Sequence, residues 1–338
     1  MTKGPLTLGL CAAFLLAGAG PATAQSAAEF YKGKTVNILI GVGVGGEYDL
    51  HARLTGRFIG RHLPGNPAIV PQNMTGAGGI KMANFLYAVA AKDGTNIGML
   101  SNTLPMLQAT DAPGLQLDAA KFNWIGSISP TVETIAVWHT TGVKTVDDAR
   151  KQEIVVGASG KGAITHTFPV AINELLGTKF KVVVGYEGGN AINLAMERGE
   201  VQGRNNTWSS WKVTKADWLK DKKIDILAYA GPKTADLAGV PTLAELAKND
   251  DDRKVLELIT SGTEFGRPLA LTPDTPTDRV KAMRDAFMAT MADKDFMAEA
   301  GKLNIEIEPV KGEYLQSLAR QLVDLPKPLG LRAKAIVE

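Results

Sequence analysis

The stretch Val36-Asn37-Ile38-Leu39-Ile40-Gly41-Val42-Gly43-Val44-Gly45-Gly46-Glu47-Tyr48-Asp49 decides the fold. A short apolar strand runs into a glycine turn, and the turn opens a helical pattern over Leu50 to Leu63. Glycines here permit positive φ and close approach to bare main-chain N–H groups, while the start of the helix adds partial positive charge. The turn reads as an anion cradle. Gly41, Gly43 and Gly46 also fit G-x-G-x-x-G, which for a dinucleotide needs an acidic residue about 20 positions on to hold the ribose. No Asp or Glu occurs between Asp49 and Asp93, which argues against a nicotinamide cofactor.

Strand and helix alternate outward from this point. The sequence predicts strands at Val36 to Ile40, Ala68 to Pro71, Thr95 to Leu100, Thr134 to Trp138, Ile154 to Gly157, Phe180 to Val184 and Ile224 to Tyr229. Helical patterns cover Gly79 to Ala90, Ile164 to Leu176, Ala191 to Arg198, Trp211 to Leu219, Pro241 to Ala247, Thr277 to Ala292 and Gly312 to Leu325. Asp250 to Asp252 reads as a solvated helix start. Apolar strands separated by amphipathic helices imply α/β architecture with mostly parallel sheet. A chain of 338 residues favours two lobes, with crossings expected near Ser127 to Pro130 and Gly262 to Pro268. The expected division is 25–127 with 265–338 for lobe I and 128–264 for lobe II.

Residues 1–24 have the form of a cleavable export signal: Lys3, an apolar run from Leu6 to Gly20, and Ala22-Thr23-Ala24 before Gln25. The run is short for a membrane span, which needs roughly 20 apolar residues. Cys11 is the single cysteine and lies inside this segment, so the mature chain has neither disulfides nor thiolate chemistry. Loss of Lys3 lowers the formal net charge from +2 to +1. Without a basic block or aromatics interleaved with Lys and Arg, nucleic acid is not expected as a partner.

The second glycine cluster, Gly157-Ala158-Ser159-Gly160-Lys161-Gly162, fails as a phosphate loop because Ala163 stands where Ser or Thr is needed. It fails as a nucleophile elbow because Lys161 stands two residues after the serine. What remains is a second anion cradle before a helix. His51, His62, His139 and His166 show no metal spacing, and only His166 falls in the first turn after a cradle.

These motifs, in order along the mature chain, resemble the Bug (TctC-like) family of periplasmic solute-binding receptors of tripartite tricarboxylate transporters. The family's G-G-x-x-D-x-x-A-R loop is matched by Gly45, Gly46, Asp49, Ala52 and Arg53, and its Asn and G-A-G-G turn by Asn73 and Gly76-Ala77-Gly78-Gly79. Lys92-Asp93-Gly94 resembles P-D-G; Ser159, Gly160, Gly162 and His166 resemble S-G-x-G-…-H; Tyr186 with Gly188-Gly189 resembles Y-x-G-G; and Gly199-Glu200-Val201 resembles G-x-V. The resemblance implies a type II, Venus-flytrap binding protein with a two-crossover hinge. It would close on a small carboxylate, either a di- or tricarboxylate or an aromatic acid, and deliver it to membrane permease subunits.

The ligand set expected on this basis comes from both lobes. Lobe I contributes Gly43, Gly45, Gly46, Glu47, Tyr48 and Asp49, then Gly76, Ala77, Gly78 and Gly79, then Ser101 and Asn102. Lobe II contributes Ser159, Gly160, Gly162, Thr165 and His166, then Tyr186, Gly188 and Gly189, then Arg204 and Asn205. No cofactor, metal or catalytic residue is expected.

Several residues depart from the family pattern. Val44 replaces proline, Glu47 and Tyr48 replace small residues, and Ala163 replaces a hydroxyl residue. Glu47 would repel an anion unless its side chain points outward, the preferred reading, or meets a donor on the ligand. Tyr48 would stack on an aromatic or cover an aliphatic chain. Lys161 and Arg204 are candidate cations for a distal carboxylate, with Arg204 preferred at a strand end. The glycine turns can aim N–H groups at a carboxylate without needing a buried Arg, whose desolvation is costly. Trp208 to Trp211 reads either as a lid or as core, and Arg53, Arg57 and Arg61 as a solvated helix face. Two other functions stay open at this level: a sensory receptor of the same fold and an exported nicotinamide-dependent oxidoreductase.

Overall fold

The computed structural model describes residues 26–337, so the expected export signal with Cys11 lies outside the described residues. In chain order the strands are β1 (Thr35–Ile40), β2 (Ala68–Asn73), β3 (Asn96–Met99), β4 (Asn123–Ser127), β5 (Glu133–Trp138), β6 (Ile154–Ala158), β7 (Phe180–Val184), β8 (Gly203–Thr207), β9 (Ile224–Ala230), β10 (Pro268–Leu271) and β11 (Val310–Lys311). They form two sheets, ordered β11-β4-β10-β3-β1-β2 and β7-β6-β8-β5-β9. The first sheet draws on both ends of the chain and the second on its middle.

Both sheets are mixed, which corrects the expectation of mostly parallel sheet. β1 pairs in parallel with β2 and β3, and β6 with β7 and β8, because helices cross back between these strands. β10 enters the first sheet antiparallel to both β3 and β4, while β5 enters the second antiparallel to β8 and β9. Each of these strands is the first that the chain reaches after crossing from the other sheet. Such a strand arrives without a returning helix, so nothing imposes parallel direction on it.

β1 shows why its residues form a buried strand. Val36, Ile38 and Ile40 are fully enclosed, beneath a helix at Glu47–His62 that packs against the helix Thr277–Met291. Leu54, Phe58 and Ile59 on that first helix complete the layer, at helical spacing. Arg57 pairs with Glu299 and Arg61 with Asp293, so part of the expected solvated face braces the helix Lys294–Lys302. Trp211 is buried, with its indole N–H 3.0 Å from Thr134 Oγ1, and serves as core of the second half.

The last helix, Lys327–Val337, departs from the expected division. It packs on helices Ile164–Leu176 and Asp250–Ile259, which cover the second sheet, and Arg332 pairs there with Asp252. Gly330 meanwhile approaches Ala109 of the first half so closely that a Cβ would lie 2.5 Å from its carbonyl oxygen. The helix therefore touches both halves.

Candidate functional site

A cavity of about 80 Å³ lies between the two sheets, at the strand ends. That is well above the roughly 10–15 Å³ needed to admit one water, so it has room for several waters or a small solute. Four helix starts meet its wall: Gly46-Glu47-Tyr48, Gly79 with Gly78 before it, Ala163-Ile164-Thr165, and Gly188-Gly189. None of the four cap residues, Gly46, Gly79, Ala163 and Gly188, makes a side-chain cap hydrogen bond. The first N–H groups of a helix have no partner within it, so these ends offer donors and partial positive charge to whatever occupies the cavity. Each such end favours an anion by about 0.3–1 kcal/mol when exposed and up to ~2 kcal/mol when partly buried.

The expected residues separate into those that line the cavity and those that build it. Gly46, Glu47, Tyr48, Gly78, Gly79, Ser101, Asn102, Ser159, Thr165, Gly188, Gly189, Arg204 and Asn205 line it. Gly43 N–H instead donates across the cleft to Glu187 O at 2.8 Å, and Gly45 N–H donates to Asp49 Oδ2 at 3.0 Å. Asp49 also accepts from Arg53 Nε and Asn73 Nδ2, both at 2.9 Å, so the most recognisable motif residues fasten the first loop to the end of β2. His166 is buried beside the second cradle, and Tyr186 packs against Gly157. Lys161 is exposed and sits away from this cavity, which removes it as a distal cation.

Gly76, Ala77, Gly160 and Gly162 also stand off the wall. A Cβ on Gly78 would meet Ala163 N at 2.7 Å, and one on Gly160 would meet Gly78 N at 2.6 Å. Gly162 is filled in the same way by Ile80. These glycines allow one loop to lie on the other across the cleft, a steric need separate from ligand approach. Thr103 adds a further bond between the halves, donating its hydroxyl to Gly162 O at 2.9 Å. The cleft is closed.

Glu47 corrects the outward expectation. Its side chain is buried and turned across the cleft, where it accepts from Thr207 Oγ1 at 2.5 Å and Ser209 Oγ at 2.6 Å and pairs with Arg267. Burial pushes its carboxyl up, but Arg267, His51 and the two hydroxyls together hold it down at about 2. For Arg267 the burial cost is more than offset by Glu47, Tyr48 and Glu133, so its pKa is raised. Its guanidinium lies 4.3 Å from the centre of the Tyr48 ring, and the Tyr48 hydroxyl accepts from Asn102 N–H at 3.2 Å. Tyr48 is thereby fixed as wall.

Arg204, the expected cation, is a second buried guanidinium beside the unexpected Arg267. It donates to Gly189 O at 2.6 Å, Asn193 Oδ1 at 2.9 Å, Asn205 O at 2.9 Å and Asn206 Oδ1 at 3.0 Å, all neutral acceptors. Burial lowers its pKa to about 10, against the opposing charges of Glu133 and Glu47. Glu133, which the sequence reading missed, lines the same cavity and accepts from Asn205 Nδ2 at 3.1 Å and, weakly, from Asn102 Nδ2 at 3.5 Å. Burial raises its pKa, with Arg267 and Asn205 in part offsetting this. Asn206, Thr207, Ser210 and Arg267 were missed as well. Among the described residues no group of three or more His, Cys, Asp or Glu is placed to hold a metal ion.

No family model matches the chain. A curated protein of Cupriavidus necator, the UPF0065 protein in the gbd 5' region, is 23% identical over 338 residues, covering 98% of this chain and 94% of that one. The periplasmic binding protein BugD superposes with a TM-score of 0.72 at 20% identity, over 90% of this chain and 99% of that one. The chain has the Bug fold. MatC from Rhodopseudomonas palustris, solved with bound malate, gives a TM-score of 0.69 at 18% identity over 90% of this chain and 99% of that one. The resemblance to the Bug family is therefore borne out, BugD being described as a periplasmic binding protein.

Proposed function

We propose that this protein is a periplasmic solute-binding protein that captures a small carboxylate by closure of its two lobes and delivers it to the membrane subunits of a tripartite tricarboxylate transporter. The observation that carries the reading is the meeting of four helix starts, none capped by a side chain, at one cavity between the two halves. Such a wall prefers an anion, and a closed cleft strengthens the preference by excluding water. The malate held by MatC, whose fold is similar, supports a carboxylate. The export signal read at residues 1–24 supports the compartment. Delivery to a permease follows the family resemblance. Among the described residues no helix is long and apolar enough to cross a membrane.

Closure is a population shift driven by tighter binding in the closed form. The test is a thermal-unfolding panel of mono-, di- and tricarboxylates, neutral sugars and amines. At least one carboxylate is expected to raise Tm, by a stabilisation of about 2.7 kcal/mol at 100 times Kd. Stabilisation by sugars or simple amines alone would reject the proposal. Co-purification with permease subunits tests the delivery step.

A further inference from the structure

The Glu47 carboxylate meets donors of the second half at both of its oxygens. Oε1 accepts from Ser209 Oγ at 2.6 Å and Oε2 from Thr207 Oγ1 at 2.5 Å, residues 162 and 160 positions further along the chain. Arg267 Nη2 donates to Oε2 as well. The hydroxyls have little choice of partner. Thr207 Oγ1 accepts from Ser210 N–H at 3.1 Å and from Arg267 Nη2 at 3.0 Å, which fills both lone pairs and leaves its single proton for Glu47. Ser209 Oγ also lies 3.3 Å from Thr207 Oγ1, but its single proton is better placed toward Glu47. Two hydroxyl donors and one guanidinium are thus aimed at one point. Thr207 and Arg267 are buried, and donors buried without an acceptor are costly.

Arg267, Thr207 and Ser209 together have the chemistry of an anion subsite, and a side chain of the protein itself fills it. Glu47 belongs to the helix Glu47–His62, which packs on β1 and β2 of the first sheet, so its bonds to Thr207 and Ser209 are made between the halves. A solute favours a closed form by binding it more tightly than the open one. A carboxylate fixed to one half and gripped by the other has the same effect, and its tether frees it from any dependence on solution concentration. Gly43 N–H and the Thr103 hydroxyl also bond across the cleft, but to the neutral carbonyls of Glu187 and Gly162. Hydrogen bonds to an ionised acceptor are roughly twice as strong as neutral ones, so the Glu47 contacts dominate.

We propose that Glu47 is a tethered ligand: its carboxylate fills the anion subsite formed by Arg267, Thr207 and Ser209 and closes the two halves on each other before any solute binds. The solute then meets a cleft that is already closed, and its entry waits on the opening of this contact, which slows association. The inference goes beyond the carboxylate reading and does not depend on which solute binds.

The experiment is small-angle X-ray scattering of the protein after refolding from urea and dialysis, which strips any retained molecule, in a buffer free of carboxylates. The wild type is expected to show the radius of gyration of the closed structure, unchanged by added acetate. Glu47→Ala removes the end of the side chain that acetate can replace. That variant should show a larger radius, restored by acetate in a saturable titration but not by acetamide or chloride, and adding Ser209→Ala should weaken the acetate response at least tenfold. An open wild type overturns the inference. So does a folded Glu47→Ala that stays closed, or one that opens and is not closed again by acetate. Should Glu47→Ala fail to fold, Thr207→Val combined with Ser209→Ala keeps the Glu47–Arg267 pair and removes both hydroxyls. An open radius in that protein supports the inference and a closed one overturns it. The solute's own class is untouched by any of these outcomes, and the carboxylate panel above tests it separately.

Discussion

The Glu47 carboxylate, in the first turn of a helix on the first sheet, accepts a hydrogen bond from the Thr207 hydroxyl at the end of β8 in the second sheet, at 2.5 Å across the cleft. With Ser209 and Arg267 on the same carboxylate, this contact ties the two halves together at the cavity itself.

Replacing Glu47 by Gln should therefore act on stability and closure together. Removal of one partner leaves Arg267 buried and uncompensated, a loss of about 3–5 kcal/mol where such pairs have been broken. The measurement is urea unfolding of the two proteins, and a loss below ~1 kcal/mol would show the pair to be dispensable.

The same carboxyl predicts a pH dependence. Its folded pKa of about 2 lies below the ordinary 4.5. A depressed acid contributes stability that is fully present above its unfolded pKa and is lost as pH falls through the folded one. The shift corresponds to stability on the order of 3 kcal/mol, disappearing between about pH 4.5 and 2. Glu47→Gln should lack this component, so the difference between wild type and variant should shrink as pH falls through that window. Parallel curves would refute the assignment.

Gly160→Ala should separate folding from closure. Its Cβ would lie 2.6 Å from Gly78 N, across the cleft rather than within either half. Each half should fold normally while the loops can no longer meet. We expect ligand affinity to fall at least tenfold, with small-angle scattering showing a larger radius of gyration in the presence of ligand than for the wild type. Unchanged affinity would mean that the two loops do not need to touch.

Gly46→Val tests the cradle. Gly46 has φ −79° and ψ 167°, and a Cβ there would lie 3.7 Å from Gly189 N, so a side chain is compatible with the backbone but enters the gap between two helix starts. Binding should be lost in a protein whose unliganded Tm is little altered. Retained affinity would remove the first loop from the site.

Arg204→Ala should cost stability and affinity alike. It strands the oxygens of Gly189, Asn193, Asn205 and Asn206, and each buried acceptor left unpaired costs about 1–3 kcal/mol. A drop of several degrees in Tm is expected together with weaker binding of every carboxylate. Loss confined to dicarboxylates would instead favour the distal contact that the sequence suggested.

The elements that read clearly in the sequence are those whose pattern is set by their own core. β7 and the helix Ile164–Leu176 have the predicted limits, since continuous apolar residues or an apolar stripe define both. β8, Gly203-Arg204-Asn205-Asn206-Thr207, shows in the sequence only as a strand end at Arg204 and has no apolar run, because its polar side chains are buried by one another and by the cavity wall. β10 begins with Pro268, which weakens its signal. The glycine turns were legible as ligand-facing, but sequence alone does not separate glycines needed for a ligand from those needed for one loop to rest on another. Glu47 was misread because its counter-ion stands 220 positions away, and no local spacing records a contact of that kind.

The helix Lys327–Val337 rests on both halves at once. At Gly330 and Ala109 there is no compressible material between main chains, while Arg332 anchors the rod to the opposite half through Asp252. Any parting of the two halves must slide or break the Gly330–Ala109 approach while the Arg332–Asp252 pair holds the helix to its other neighbour.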